Sequence, residues 1–180
     1  MKRFLINFSL IITALIIYFL QENFFNWFTI AGVMPNLFVI LVLFIGLFTN
    51  KNKGTIYGLI IGMLLDFFVR SKLGIYTITL GLVGLVAGIF DKNFSKDSRM
   101  TIMLMVAGIT ASYEIIIYFL NYFILNGNLE ILEFLKILLI EIIYNIIITI
   151  IIYPLIKKFG YYIENEYKGT KNWENIRNKI

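Results

Sequence analysis

Neither cysteine nor histidine occurs among the 180 residues. Their absence excludes a disulfide framework, thiolate nucleophiles, imidazole bases and the usual transition-metal ligand sets, so carboxylates and tyrosines are the only plausible reactive groups. No cofactor or metal is expected, and no hydrolytic or redox enzyme. Charge is scarce too: Asp, Glu, Lys and Arg make up 15% of the chain, against about 25% in a soluble domain. Hydrophobic residues reach 59%. They fall in repeated runs of roughly membrane-spanning length, which reads as an integral membrane protein.

The first run, Phe4 to Leu20, follows Lys2 and Arg3 like the front of a signal peptide. It lacks a small-residue cleavage site and further apolar segments follow, so it is expected to be a retained first helix. Residues 21 to 35, QENFFNWFTIAGVMP, are apolar but interrupted by Asn23, Asn26, Gly32 and Pro35. Trp27 and the phenylalanines suit headgroup depth, so this segment reads as an interfacial loop, with a re-entrant or strand-like excursion as the alternative. Pro35 can open the next helix, whose first N–H groups are unpaired anyway. Further spans are expected over 36–48, 54–69, 73–90, 100–125 and 129–156, the last closing at Pro154 and Lys157. The expected fold is all-α, a compact bundle of six transmembrane helices over residues 1–156, followed by a basic tail over 157–180.

Placing the N-terminus in the cytoplasm puts Lys2, Arg3, Lys51, Lys53, Lys92, Lys96, Arg99, Lys157, Lys158, Lys168, Lys171, Arg177 and Lys179 inside. Only Arg70, Lys72 and Lys136 are left for the outer side, so the bias supports six spans with both ends cytoplasmic. The tail mixes basic and acidic side chains with Tyr161, Tyr162, Tyr167 and Trp173. It reads as a surface anchor on anionic lipid, with partner docking as the alternative. No nucleic-acid role is expected, because the adjoining membrane helix already explains the charge.

The stretch GTIYGLIIGMLLD places Gly54, Gly58, Gly62 and Asp66 four residues apart, on one helix face. Small residues in that pattern let another membrane helix approach closely. The fourth span offers Gly74, Gly81, Gly84 and Gly88 in answer. A homodimer through the third helix is the alternative use of the face. Asp66 lies about 18 Å along the third helix, where a carboxylate must be paired, hydrated or protonated. Arg70, four residues on, is the local partner to expect; a hinge or partner contact between helices three and four is the sharper reading.

Two further acids sit deeper. Glu114 shares the fifth span with Thr110 and Asn121, while Glu141, Asn145 and Thr149 are spaced four apart in the sixth. Such groups should face the bundle interior or a partner, protonated and hydrogen-bonded to each other. Polar glue between helices five and six is the plainest role; a proton or solute path and a partner contact are the others.

The order Pro35-Asn36-Leu37, a short oily helix, a basic turn at Lys51 to Lys53 and then GTIYGLIIGMLLDFFVRSKLGIYTITLGLVG resembles the rod shape-determining protein MreD family. Its members show a proline before the second span and a G…G…G…D…LG…L signature, matched here by Pro35, Gly54, Gly58, Gly62, Asp66, Leu73, Gly74 and Leu80. The specific part covers about residues 35 to 85, and it assigns no role to Glu114 or Glu141. The resemblance implies a non-catalytic inner-membrane scaffold of the bacterial elongation machinery. It would bind MreC most directly and work alongside MreB, RodA and a class B penicillin-binding transpeptidase. The runner-up is a substrate-binding membrane subunit of a small-solute uptake transporter: energy-coupling-factor components have a similar length and helix number, and MreD-like proteins are suspected to share that architecture.

Overall fold

A computed structural model describes residues 2–68, 74–93, 96–125 and 130–168. The described residues form six α-helices: α1 (Lys2–Phe19), α2 (Leu37–Phe48), α3 (Lys51–Phe68), α4 (Ile75–Asn93), α5 (Arg99–Leu125) and α6 (Ile131–Lys168), with no strand among them. Among the described residues, three helical stretches are long and apolar enough to cross a membrane: Phe4–Trp27, Arg99–Phe123 and Ile131–Tyr167. Leu37–Phe48 and Ile75–Asp91 are shorter apolar helices.

α2 is the centre of the bundle. Its sequence, LFVILVLFIGLF, is apolar all round, the pattern of a helix enclosed on every side. All but Leu41 are buried, and the helix touches each of the other five. Asn36 starts it as an N-cap, its Oδ1 accepting from the Val39 N–H at 3.2 Å. Pro35 therefore stands before the cap, not inside the first turn. α1 is the opposite case. Among its described side chains only Ile6, Leu10 and Ala14, spaced four apart, are buried, while Phe4, Phe8, Ile12, Leu15 and Phe19 point outward. That single stripe docks the helix on the bundle and leaves a face suited to lipid.

α3 begins three residues before the expected start, at Lys51, because Asn50 caps it by accepting from the Lys53 N–H. Between α1 and α2, the chain continues as a single π-helical turn over Leu20–Phe24 and a 3₁₀ turn over Phe25–Trp27. It then reverses at Ala31 and Gly32. Both have positive φ, and Ile30 and Val33 exchange N–H···O bonds of 2.9 and 3.0 Å across them. Left-handed backbone at both central residues is what a tight two-residue reversal requires, and it is the reason for Gly32. The strand-like excursion reduces to this one bridge. Tyr144 of α6 pins the segment by donating to the Phe28 carbonyl at 2.6 Å.

The largest departure from the sequence reading is the end of α6, which passes Pro154 and continues to Lys168. A proline inside a helix removes one backbone bond and usually ends or kinks it. Here the residues beyond it are held by contacts at the end of the bundle that carries the N-terminus, called the base below. Tyr153 donates to the Lys96 carbonyl at 2.8 Å, Tyr161 donates to Asp97 at 2.9 Å, and Lys157 pairs with Asp97 at 2.8 Å. Lys96 is enclosed between Asp91 and Glu164 and lies over the Phe48 ring. Gly160 gives Phe48 the room to lie against α6, where it meets the Tyr161 ring edge-on. Asn7 of α1 accepts from both Tyr57 and Tyr167. The first part of the expected tail is thus helix folded across the base; residues 169–180, including Trp173, lie outside the described residues.

Hydrogen bonds from Lys157 and then Tyr161 hold the Asp97 carboxyl below the usual carboxylate range. A carboxyl depressed in the folded state stabilises it above the unfolded pKa, and that contribution disappears as pH falls through the folded value. Melting curves from neutral to acid pH should therefore show Asp97→Asn losing less stability on acidification than the parent. The difference should be small, since the ion pair is exposed.

Candidate functional site

α3 and α4 run antiparallel with their backbones in direct contact, and the glycines make that approach feasible. A Cβ at Gly58 would overlap the Leu80 carbonyl, one at Gly62 the Tyr76 carbonyl, and one at Gly84 the Gly54 carbonyl; at Gly88 it would meet the backbone of Lys51. Gly46 of α2 joins the same seam, its Cβ position 2.6 Å from the Ala87 Cβ and 2.9 Å from the Gly84 oxygen. Three helices therefore converge where Gly46, Gly54 and Gly84 meet. Gly81 differs, since a Cβ there meets only the Leu59 side chain at 2.7 Å. The glycine face of α3 is occupied by α4 of the same chain and offers no open groove to a second copy. Gly46 was not singled out from sequence because it stands alone in an apolar run.

Asp66 closes this hairpin at the end opposite the base, the far end. Its side chain reaches across to the first turn of α4. Oδ2 accepts from the N–H groups of Gly74 and Thr77, each at 3.0 Å, and from the Thr77 hydroxyl at 2.6 Å; Oδ1 accepts from the Tyr76 N–H at 3.1 Å. The residue is 2% exposed. The carboxylate of one helix is thus the N-cap of the next, satisfying donors that a helix start leaves unpaired and placing negative charge at the positive end of its dipole. Gly74 allows the chain to turn in, with φ +104°. Arg70, the expected ion-pair partner, lies outside the described residues, as does Leu73. The sequence signal for the observed partner is Thr77, which alone donates twice.

A second polar seam joins α5 and α6 and runs into α2. Asn145 is fully buried. Its Oδ1 accepts from the Asn36 N–H at 2.7 Å, and its Nδ2 donates to Thr110 Oγ1 at 3.0 Å. One amide therefore holds three helices in register. The Thr110–Asn145 bond sets the register of this antiparallel pair, so Glu114 and Glu141, each one turn farther from the base, fall opposite each other, one turn from Asn145 and the Asn36 backbone it binds. Glu141 is 6% exposed, and its Oε1 has no partner among the described residues. Asn121, on the same helix as Glu114, lies near the far end of α5 and is partly exposed. Gln21 supplies a contact that no spacing rule flagged, accepting from the Leu37 N–H at 3.2 Å.

The exposed surface around this far end is strongly apolar and aromatic. Phe24, Trp27, Phe28 and Ile30 of the connecting segment are exposed, Trp27 by 86%, as are Ile131, Leu132 and Leu135 at the start of α6. Among the described residues no three or more acidic, histidine or cysteine side chains come together as a metal site.

The family model described as rod shape-determining protein MreD matches residues 2–163. No curated protein and no solved structure matches the chain.

Proposed function

The chain belongs to the rod shape-determining protein MreD family, and we propose that it serves rod-shape determination as a non-catalytic membrane scaffold, binding MreC and helping to position peptidoglycan synthesis. The family match carries this reading. The use the fold makes of its polar residues supports it: Asp66 caps α4, and Asn145 ties α2, α5 and α6, so these groups hold helices together. In this reading all six helices cross the membrane with the base in the cytoplasm, as the basic residues favour. The family match together with three long apolar helices makes the chain a membrane protein; its topology is part of the proposal.

The contact surface for MreC is assigned to the far end, the end of the Asp66 cap, where Trp27, Phe28 and Leu132 are exposed. Large aromatic side chains on a rigid support are what a partner interface uses as anchors. The base, with Lys51, Arg99 and Lys158 exposed, is left for anionic lipid, MreB or the cytoplasmic parts of RodA and the transpeptidase. A photo-crosslinking residue at Trp27 or Leu132 should capture MreC in native membranes, and one at Met63, on the exposed face of α3, should not. Capture from Met63 alone would move the interface to the lipid-facing side of α3.

A further inference from the structure

Glu114 and Glu141 have no part in the scaffold contacts, and two facing acids inside an apolar bundle require an explanation. We propose that they form a proton-binding site that latches α5 to α6, the two carboxyl groups holding one proton between them. The Oε1 of the buried Glu141, which has no partner among the described residues, is the second observation, because a carboxylate oxygen enclosed without a donor is costly unless a hydrogen reaches it.

Among the described residues the surroundings offer no positive charge to replace that proton. The titratable groups close enough to act electrostatically are Tyr113 of α5, Tyr76 of α4 and, through Tyr76, Glu22 of the π turn and Asp66 of α3. All are acids or phenols. Asn36 at the head of α2 and Asn145 of α6 contribute neutral amides. Two like charges facing each other in a desolvated site are not both ionised, whereas an acid O–H donating to its neighbouring carboxylate leaves one charge for the amides to solvate. Protonation takes the hydrogen from water, and deprotonation returns it there. Loss of the proton leaves two negative charges on facing helices. Because Asn145 is one turn from Glu141 and bonds to both Asn36 and Thr110, separation there loosens the start of α2 as well.

The test uses the full chain in lipid nanodiscs. At neutral pH its infrared spectrum should show the carbonyl band of one buried carboxylic acid per chain, and Glu114→Gln/Glu141→Gln, whose amides can still bond each other, should lack it. The folded state keeps a proton that the unfolded chain releases, so stability must fall as pH rises. The melting temperature of the parent should drop with pH in step with loss of the band, while that of the double variant stays level. No acid band in the parent, two acids per chain, or a band that survives in the double variant overturns the site. A band that disappears with rising pH while the melting temperature stays constant overturns the latch. If the double variant does not fold, the number of acids and the pH slope of the parent decide.

Discussion

Leucine at Gly58 or Gly84 should prevent α3 and α4 from packing and leave little monodisperse protein in detergent. At both positions even a single Cβ would overlap backbone, the Leu80 carbonyl in one case and the Gly54 carbonyl in the other. A backbone carbonyl inside a helix cannot swing aside as a side chain can, so relief requires moving one whole helix away from the other. Overpacking in a close-fitted core typically costs about 1–3 kcal/mol and occasionally more; rigid overlap places these variants at or above the top of that range. The loss spreads because Gly46 of α2 meets the same two helices. Two comparisons isolate the cause. Gly81→Ala should be much milder, since its Cβ meets only the mobile end of Leu59, and Gly108→Leu should be tolerated, having nothing within 4 Å. Thermal unfolding of the four variants by intrinsic fluorescence gives the ranking, and equal melting temperatures for Gly58→Leu and Gly108→Leu would refute the close seam.

Asp66→Ala is the other severe change. A lost N-cap ordinarily costs about 0.5–2 kcal/mol. Here one carboxylate serves three backbone N–H groups and a hydroxyl, and removing it leaves them without an acceptor in a site that is 2% exposed. We expect about 3 kcal/mol of destabilisation, above the single-cap range because several donors are orphaned together. Asp66→Asn should fall between, since its amide oxygen can still accept while the charge that favours the helix start is gone. A thermal shift assay and a pull-down with MreC separate structure from recognition. The cap predicts that Asp66→Ala melts at lower temperature and binds MreC in proportion to the fraction still folded. A variant with parental stability and no binding would instead make Asp66 a contact residue.

The α3–α4 hairpin was legible because its signal is local and periodic. Glycines every four residues specify one face of one helix, and their partners lie on the next helix in the chain. Asp66 was legible as important but not in its role. From sequence the nearest cation, Arg70, is the natural partner; what the carboxylate meets are backbone donors whose position depends on how tightly the hairpin closes. Asn50 and Asn36 are cap signals readable before an apolar run, whereas Gln21 and Gly46 carry no pattern of their own. The end of α6 was hidden for a different reason. Pro154 and Lys157 are valid stop signals for an isolated helix, and the contacts that carry it past them come from Asp97, Lys96, Phe48 and Asn7, all remote in sequence. On α5 and α6, 3.6-residue periodicity puts Thr110 and Asn145 on inward faces where they bond, but it does not reveal the bond from Asn145 to the head of α2.

The scaffold role is tested most directly by identifying what the tagged protein holds in its native membrane, by brief crosslinking, gentle extraction and mass spectrometry. Scaffolding of the elongation machinery predicts recovery of MreC with RodA and a class B penicillin-binding transpeptidase, and loss of those proteins when residues 24 to 28 are replaced by alanine. Recovery of an ATPase pair with a coupling membrane subunit, and none of the wall-synthesis proteins, would contradict it.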